Sequence, residues 1–267
     1  RGLPYDLCAA QGRRRGGRRV SCYEALAASY DGLTRDIPYE KYLRFVKSLW
    51  KRFGVKPESV LDLACGTGSL SVLLAKCGYQ VIAADRSEEM LTVAAEKAME
   101  LEENRPFFIA QPMQRLRLPQ PVDACVCALD SINYVTKPLD VQKTVFRVQE
   151  SLNEGGLFVF DINTPHKLKG LDGQVFLDET EDSYCVWRAV FDRRHGLCRY
   201  GMDLFQRLPD DTWERSFEEH VERAYAPDEL TEWLLAAGFQ TVERFGNLRL
   251  DAPQPDEQRI FFAAKKG

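Results

Sequence analysis

Val60-Leu-Asp-Leu-Ala-Cys-Gly-Thr-Gly-Ser-Leu70 is the stretch of sequence that decides the fold. Its first residues form an apolar run of strand length, preceded by Pro57, and residues 70–77 have the pattern of a helix. Gly66 and Gly68 lie between the two and let the backbone turn sharply and approach a ligand without a Cβ in the way. A strand, a glycine turn and a helix in this order indicate the start of a βαβ unit.

Strand and helix patterns continue to alternate after this stretch. The predicted strands are residues 80–84, 107–110, 122–128, 156–162, 239–245 and 259–264, and the predicted helices are residues 87–102, 139–152 and 227–237. This alternation is typical of a doubly wound sheet whose parallel strands are joined by right-handed crossovers. We therefore expect an α/β fold with a mostly parallel, seven-stranded Rossmann-like sheet.

A different pattern interrupts this alternation between the fifth and sixth strands. Alternating runs at residues 184–192, 197–208 and 213–225, separated by turn signals, predict an antiparallel β-meander. We expect an insertion at residues 166–225 that roofs the substrate pocket. The insertion is rich in large side chains, and its aromatic rings can face either the pocket or the sheet: Trp187, Arg188, Tyr200, Phe205 and Trp213.

The remaining residues, 21–165 and 226–267, are predicted to form the Rossmann-like core. Two helices precede its first strand, one at residues 21–29 and one that begins at Pro38, where apolar residues recur every three or four positions. The core is thus expected to carry additional helical structure ahead of the glycine turn.

The net charge of −4 is distributed unevenly along the chain. Residues 1–20 contain six arginines and one aspartate, a net charge of +5, so that residues 21–267 carry −9. Proteins that hold nucleic-acid backbones usually present a basic surface, so the acidic body argues against RNA or DNA as the substrate. We expect residues 1–20 to be a disordered basic head; the alternative is an ordered segment that binds RNA.

Composition also bears on membranes, metals and location. No apolar run reaches the roughly 18–20 residues needed to cross a bilayer. The eight cysteines form no CxxC pair and follow no secretory hydrophobic region, which favours free thiols in a cytoplasmic protein. The three histidines form no HxH or HxxxH pair, so we expect no metal site.

Two positions distinguish the glycine turn from a dinucleotide-binding loop. A dinucleotide site needs the pattern GxGxxG, in which a helix N-terminus binds a pyrophosphate. Here the third glycine position holds Ser71, and Asp62 precedes the turn. Because Asp62 would repel a pyrophosphate and attract an ammonium or a sulfonium, these positions argue against a nicotinamide dehydrogenase.

The segment DLACGTGSL at residues 62–70 resembles motif I of the class I S-adenosylmethionine-dependent methyltransferases, whose common form is DxGCGTGxx. The resemblance covers roughly residues 21–265. Further matching segments are YEALAASYDGL, ADRSEEML, LDSINYV, LLAAGF and RIFFAAKK, which resemble the small-molecule branch of this family. The resemblance implies an enzyme that transfers a methyl group from S-adenosylmethionine to a small-molecule acceptor.

The resemblance implies roles for residues that match the family pattern. The residues expected to line the methionine part of the cofactor are Asp62, Ala64, Gly66 and Gly68. Asp85, at the end of the second strand, would accept hydrogen bonds from both ribose hydroxyls, and Arg86 follows it in the second motif. Leu129 and Asp130 would flank the sulfonium and its methyl group.

The adenine end and the lid are implied in the same way. Met113 would pack on the adenine and Gln114 would hydrogen-bond to it, although Pro112 stands where many relatives have an aspartate. The tyrosines that resemble those of the family's N-terminal lid helices are Tyr30 and, with it, Tyr23 and Tyr39. Packing in the core is the alternative role for these rings.

Methyl transfer from a sulfonium is an in-line displacement, which depends on holding donor and acceptor about 3 Å apart. A hydroxyl acceptor would also need a base. His166, just after the fifth strand, is a candidate because histidine titrates near neutrality; a solvated loop histidine is the alternative. Asp130 is the second candidate catalytic residue.

Two further functions stay open at this stage. One is a methyltransferase that acts on RNA or the ribosome, and the other is a regulatory protein that binds S-adenosylmethionine without catalysis. The sequence is compatible with a monomer or a homodimer.

Overall fold

The computed structural model describes residues 37–267. The predictions for the basic head at residues 1–20, the helix at residues 21–29, Tyr23 and Tyr30 lie outside the described residues. Within residues 37–267, no helix combines the length and the apolar character that crossing a membrane requires.

The described elements follow the predicted order. They are α1 (Tyr39–Arg52), β1 (Ser59–Leu63), α2 (Ser69–Lys76), β2 (Gln80–Asp85), α3 (Glu88–Ala98), β3 (Phe107–Ala110), β4 (Val122–Cys127), α4 (Pro138–Ser151), β5 (Leu152–Asn163), α5 (Pro165–Gly170), β6 (Val175–Glu179), β7 (Ser183–Asp192), β8 (Leu197–Arg207), β9 (Trp213–Arg223), α6 (Pro227–Ala236), β10 (Phe239–Phe245) and β11 (Arg259–Lys266). The predicted alternation of strands and helices is confirmed.

The large sheet has seven strands in the order β10-β11-β5-β4-β1-β2-β3. Strand β1 pairs in parallel with β2 on one side and with β4 on the other. The strand order therefore reverses between β1 and β4. Strand β11 runs antiparallel to both β5 and β10. The predicted mostly parallel, seven-stranded Rossmann-like sheet is therefore confirmed.

Both faces of this sheet are covered, which is why its strands are almost continuously apolar. In β1, Val60 packs on the side of α1 and α2, whereas Leu61 and Leu63 pack on the side of α4. Helix α1 buries one face against the sheet, where the ring of Phe45 lies 4.8 Å from that of Phe261, measured between centroids. The helix predicted after Pro38 therefore forms part of the core.

The insertion forms a second, antiparallel sheet of four strands in the order β6-β7-β8-β9. The meander predicted from the sequence contains the last three of these strands. The first, β6, was not predicted, because its five residues are all exposed and show no buried face. An edge strand of this kind is held by its backbone pairing with β7 rather than by an apolar side.

One buried side chain connects the two sheets. Asn133, in the loop after β4, is fully buried, and its Nδ2 donates hydrogen bonds to the carbonyl oxygens of Asn163 and Arg223. Its Oδ1 accepts a hydrogen bond from the backbone N–H of Asn163 at 3.0 Å. Asn133 thus fixes the ends of β5 and β9 beside the loop that follows β4, and Nδ2 of Asn163 adds a hydrogen bond to Oε2 of Glu222 in β9 at 2.8 Å.

Candidate active site

A cavity of about 770 Å³ opens at the C-terminal ends of β1, β2 and β4. Open α/β sheets bind their ligands in this crevice, where the strand order reverses, and the volume lies in the range usual for ligand sites. The predicted residues that line it are Asp62, Ala64, Gly66, Asp85, Arg86, Met113, Gln114, Leu129 and Asp130. The fold therefore brings most of the predicted site together.

Asp62 is nearly inaccessible, with 2 % of its surface exposed. Burial raises the pKa of Asp62 to about 7; the hydroxyl of Ser71 opposes this shift by donating a hydrogen bond to Oδ2 at 2.5 Å, and the charge of Asp85 adds to it. Ser71 occupies the position of the third glycine in a dinucleotide loop. In this fold that position supports the buried aspartate.

The two glycines of the turn have different surroundings. Both have positive φ angles, 53° at Gly66 and 72° at Gly68. A Cβ at Gly66 would meet nothing within 4 Å, and the residue lines the cavity. A Cβ at Gly68 would lie 2.8 Å from the Cβ of Ala94 in α3. Gly66 is therefore open to a ligand, whereas Gly68 allows α3 to pack against the turn.

Gly68 was expected to line the methionine part of the ligand, but it is not among the residues that border the cavity. Ala64 does border it, and its φ angle of 59° is unusual for a residue with a side chain. The common motif has glycine at this position. The left-handed conformation costs alanine roughly 1–2 kcal/mol.

Asp85 holds the turn and faces the cavity at the same time. Its Oδ2 accepts a hydrogen bond from the backbone N–H of Gly66 at 2.9 Å, and its Oδ1 accepts one from Ser87 at 2.9 Å. A carboxylate offers about four lone-pair positions, so each oxygen can accept one more hydrogen bond. Asp85 can therefore bind two ligand hydroxyls without releasing the turn.

The segment after β3 borders the other end of the cavity. The backbone N–H of Gln111 donates to the carbonyl oxygen of Asp85 at 2.8 Å, which ties this segment to the end of β2. Its side chain is bonded to the backbone of Arg117. Gln111 and Gln114 are the polar residues of this segment that border the cavity, together with Met113 and with Pro112, which offers no side-chain acceptor.

The loop after β4 makes a sharp corner at Leu129 and Asp130. Their φ angles are 60° and 52°, two consecutive left-handed residues without a glycine. Each would cost roughly 1–2 kcal/mol in isolation. Both carboxylate oxygens of Asp161 accept hydrogen bonds from this corner, Oδ1 from the N–H of Leu129 at 2.8 Å and Oδ2 from that of Asp130 at 3.0 Å.

A partly buried arginine completes this cluster. Arg259, the first residue of β11, donates through Nη2 to Oδ1 of Asp130 at 2.6 Å and through Nη1 to Oδ2 of Asp161. Burial disfavours the charge on Arg259, but the two carboxylates outweigh it and raise the guanidinium pKa well above its ordinary value. Burial in turn raises the pKa of Asp161, and Arg259 opposes that rise.

Some predicted residues are not brought to the cavity. His166 is exposed in α5 and does not border it, because α5 begins at Pro165 and its buried side chain is Leu168. Among the residues that the structure describes, none from 166 to 225 lines the cavity. The structure therefore gives no geometric support to His166 as a base or to the insertion as a roof over this space.

Other residues at the cavity were not predicted as site residues. They include Tyr42 from α1, Tyr134 from the loop after β4, Asn247 and Leu248 from the loop after β10, and Arg259. Tyr39, the tyrosine of the predicted lid that lies within the described residues, also borders the cavity. Leu248 has a φ angle of 52°, and no sequence pattern predicts this left-handed conformation.

No group of three or more His, Cys, Asp or Glu side chains within residues 37–267 is arranged to hold a metal ion.

Comparison with known proteins identifies the family. A methyltransferase domain family matches residues 60–156, which extend from β1 into β5. A protein of Geobacillus sp. (strain WCH70), named "Putative methyltransferase", is 32% identical over 246 residues, which are 91% of this chain and 99% of that protein. "Putative methyltransferase YqeM" of Bacillus subtilis (strain 168) is 29% identical over 247 residues, 91% of this chain and 97% of that protein.

A solved structure agrees with these relatives. The crystal structure of an S-adenosylmethionine-dependent methyltransferase from Clostridium acetobutylicum ATCC 824 is 29% identical, covers 92% of this chain and 100% of its own chain, and superposes with a TM-score of 0.82. The motif at residues 62–70, the strand order of the large sheet and the relatives that match nearly the whole length all indicate the same family. This chain therefore belongs to the class I S-adenosylmethionine-dependent methyltransferases.

Proposed function

We propose that this chain binds S-adenosylmethionine in the 770 Å³ cavity and transfers its methyl group to a small-molecule acceptor. Asp85 carries the proposal, because each of its oxygens accepts a backbone hydrogen bond and retains the capacity to accept a ribose hydroxyl. The open space at Gly66 also fits a ligand, since nothing within 4 Å would meet a Cβ there.

Charges and side chains along the cavity suggest how the ligand lies in it. Asp62 would pair with the ammonium of the methionine part, and Gly66 would allow the chain of that part to pass close to the backbone. Asp85 would hold the ribose, with Arg86 beside it. Met113 and Gln114 would contact the adenine, and the corner at Leu129 and Asp130 would face the sulfonium. In the sheet order β3-β2-β1-β4, the adenine would lie at the β3 end, the ribose at β2, and the methionine part with its sulfonium at β1 and β4.

Bound S-adenosylmethionine supplies a methyl group on a positively charged sulfur; a lone pair of the acceptor forms the new bond to carbon, the C–S bond breaks, and its electron pair stays on sulfur. The protein contributes by orienting the acceptor and excluding water. Asp130 would accept a hydrogen bond from an acceptor N–H or O–H. Tyr42 and Asn247 border the same cavity and would limit the acceptor's size and orientation.

A small-molecule acceptor is supported by two observations. Residues 21–267 carry a net charge of −9, which is unfavourable for a nucleic-acid backbone. Relatives with named acceptors act on small molecules: "Demethylmenaquinone methyltransferase" of Thermus thermophilus is 28% identical over 228 residues, and "Glycine/sarcosine N-methyltransferase" of Halorhodospira halochloris is 25% identical over 235 residues.

The deciding experiment uses S-adenosylmethionine with a labelled methyl group. The protein is incubated separately with fractionated small metabolites and with total RNA, and the product fractions are counted. We expect label in a small-molecule fraction. Label only in RNA would support the RNA-directed alternative, and binding without any transfer would support a regulatory protein.

The titration of Asp62 leads to a second expected result. Its pKa of about 7 in the free protein means that the carboxylate becomes protonated as the pH falls below neutrality. Because pairing with an ammonium requires the ionised form, affinity for S-adenosylmethionine should fall about fivefold to tenfold from pH 7.5 to pH 6. Isothermal titration calorimetry in buffers of different ionisation enthalpy should show proton release on binding at pH 6.

The matched variant is Asp62→Asn, which keeps the shape of the side chain and removes its titration. This variant should bind more weakly at pH 7.5 and show little change in affinity between the two pH values. A wild-type affinity that is constant over this range would contradict the pairing of Asp62 with the ammonium.

A further inference from the structure

The cluster of Asp130, Asp161 and Arg259 has a role beyond closing the sheet. Asp161 has no exposed surface, and its two oxygens accept the N–H groups of consecutive left-handed residues, Leu129 and Asp130. Consecutive backbone N–H groups of this kind form an anion-binding concavity. The anion here is part of the protein, so the shape of the corner at the cavity depends on a carboxylate of the neighbouring strand.

Sheet pairing explains how these residues meet. In the β4–β5 pair Cys127 lies opposite Phe160, so Asp161 is the next residue of β5 beyond the end of β4. In the β5–β11 pair Asp161 lies opposite Phe261, and Arg259 is two residues away on the same face of β11. The guanidinium can therefore reach Asp161 and the carboxylate of Asp130 together.

Arg259 is suited to this bridge because its planar fork offers separate donors to separate carboxylates. It uses Nη1 for Asp161 and Nη2 for Asp130. The side chains of Arg259 and Asp130 are 16% and 14% exposed, and Asp130 borders the cavity. The ion pair thus fixes the carboxylate of Asp130 at the wall of the cavity rather than in solvent.

We propose that Asp161 and Arg259 are positioning residues for methyl transfer: Asp161 holds the Leu129–Asp130 corner and Arg259 orients the Asp130 carboxylate toward the sulfonium and the acceptor. The inference rests on the proposed function, in which this corner faces the sulfonium. Neither residue touches the reacting atoms, and both act through Asp130.

The test compares S-adenosylmethionine, which carries the charged sulfonium, with S-adenosylhomocysteine, which carries a neutral thioether. Both ligands share the contacts proposed for Asp62, Gly66 and Asp85. The ratio of their affinities, measured by calorimetry, therefore reports the surroundings of the sulfur. Asp161→Asn should shift this ratio against S-adenosylmethionine by at least about tenfold, the effect of losing a charge-assisted contact.

Arg259→Lys separates positioning from net charge. Lysine retains the positive charge but cannot bridge two carboxylates with a planar fork. If Arg259 positions Asp130, the ratio should shift in this variant too; an unchanged ratio in Arg259→Lys would overturn the proposal. The matched control is Arg244→Lys, which alters an ion pair with Asp228 outside the cavity and should leave the ratio unchanged.

A double-mutant cycle tests whether Asp161 acts through Asp130. The ratio in the double variant Asp130→Asn/Asp161→Asn should match that in Asp130→Asn alone, because contacts of one unit are not additive. Fully additive shifts would overturn the proposal. The proposal is also overturned if Asp161→Asn and Arg259→Lys lower the melting temperature but leave the affinity ratio unchanged. That result is expected if the two residues only stabilise the fold.

Ligand binding by the wild-type protein separates the proposed function from the positioning role. If the wild-type protein binds neither S-adenosylmethionine nor S-adenosylhomocysteine, the proposed function is wrong. If the wild type binds both and the variants keep its affinity ratio, only the positioning role of Asp161 and Arg259 is wrong.

Discussion

Replacing Asp85 by alanine is expected to weaken the binding of both S-adenosylmethionine and S-adenosylhomocysteine by at least about 100-fold, the loss expected for two charge-assisted hydrogen bonds. The variant also loses the acceptors for the N–H groups of Gly66 and Ser87, so the turn beside the ligand becomes less ordered. Calorimetric titration with each ligand measures the effect. Affinity within about threefold of the wild type would contradict the assignment of Asp85.

Asp123 provides a matched control at the opposite edge of the sheet. Its Oδ2 accepts hydrogen bonds from the backbone N–H groups of Glu58 and Ser59, both at 2.9 Å, where β1 begins. Asp123→Ala therefore removes a comparable pair of carboxylate–backbone contacts far from the cavity. We expect this variant to lose stability while it retains its affinity for S-adenosylmethionine, which separates loss of the ligand contact from loss of the fold.

Replacing Gly68 by alanine is expected to lower the free energy of unfolding by about 2–5 kcal/mol. The estimate combines a left-handed conformation, about 1–2 kcal/mol for a residue with a Cβ, with overpacking, about 1–3 kcal/mol. The overpacking arises because the new Cβ would lie 2.8 Å from the Cβ of Ala94 and 3.4 Å from its Cα. These atoms belong to α3 and cannot rotate away. Urea unfolding measures the change.

Two other glycines calibrate this result. Gly54 follows α1 with a φ angle of 69° and has nothing within 4 Å of a new Cβ, so Gly54→Ala measures the conformational cost alone. Gly66→Ala should destabilise the fold about as much as Gly54→Ala but should weaken ligand binding, because its Cβ enters the cavity. If Gly68→Ala costs no more than Gly54→Ala, the packing of α3 does not require this glycine.

The glycine turn illustrates how far sequence reasoning reaches. Residues 60–70 predicted a strand, a turn and a helix, and the carboxylates at Asp62 and Asp85 pointed to the ends of neighbouring strands. Parallel strands of a βαβ unit place their C-terminal ends at one edge of the sheet. The pattern alone therefore predicts that Asp62 and Asp85, about 20 positions apart, lie close together. Both aspartates do border the cavity.

The same local reasoning could not distinguish Gly66 from Gly68. Both glycines fit a sharp turn, and the difference between them depends on Ala94, which is contributed by a later helix. The sequence pattern marks Ser71 only as a departure from a dinucleotide motif, whereas its hydroxyl donates a hydrogen bond to the buried Asp62. His166 follows the correct strand, but helix α5 leaves it exposed and away from the cavity.

The sequence by itself determined the alternation of elements, the parallel core and the acidic residues at its ligand edge, because these depend on hydrophobic period and on neighbouring strands. Tertiary structure alone decided the cluster at the cavity wall, in which Arg259 contacts Asp130 across 129 positions of sequence. No local pattern encodes that contact. It exists because β11 is inserted antiparallel beside β5, and the order of strands in the sheet determines which distant side chains meet.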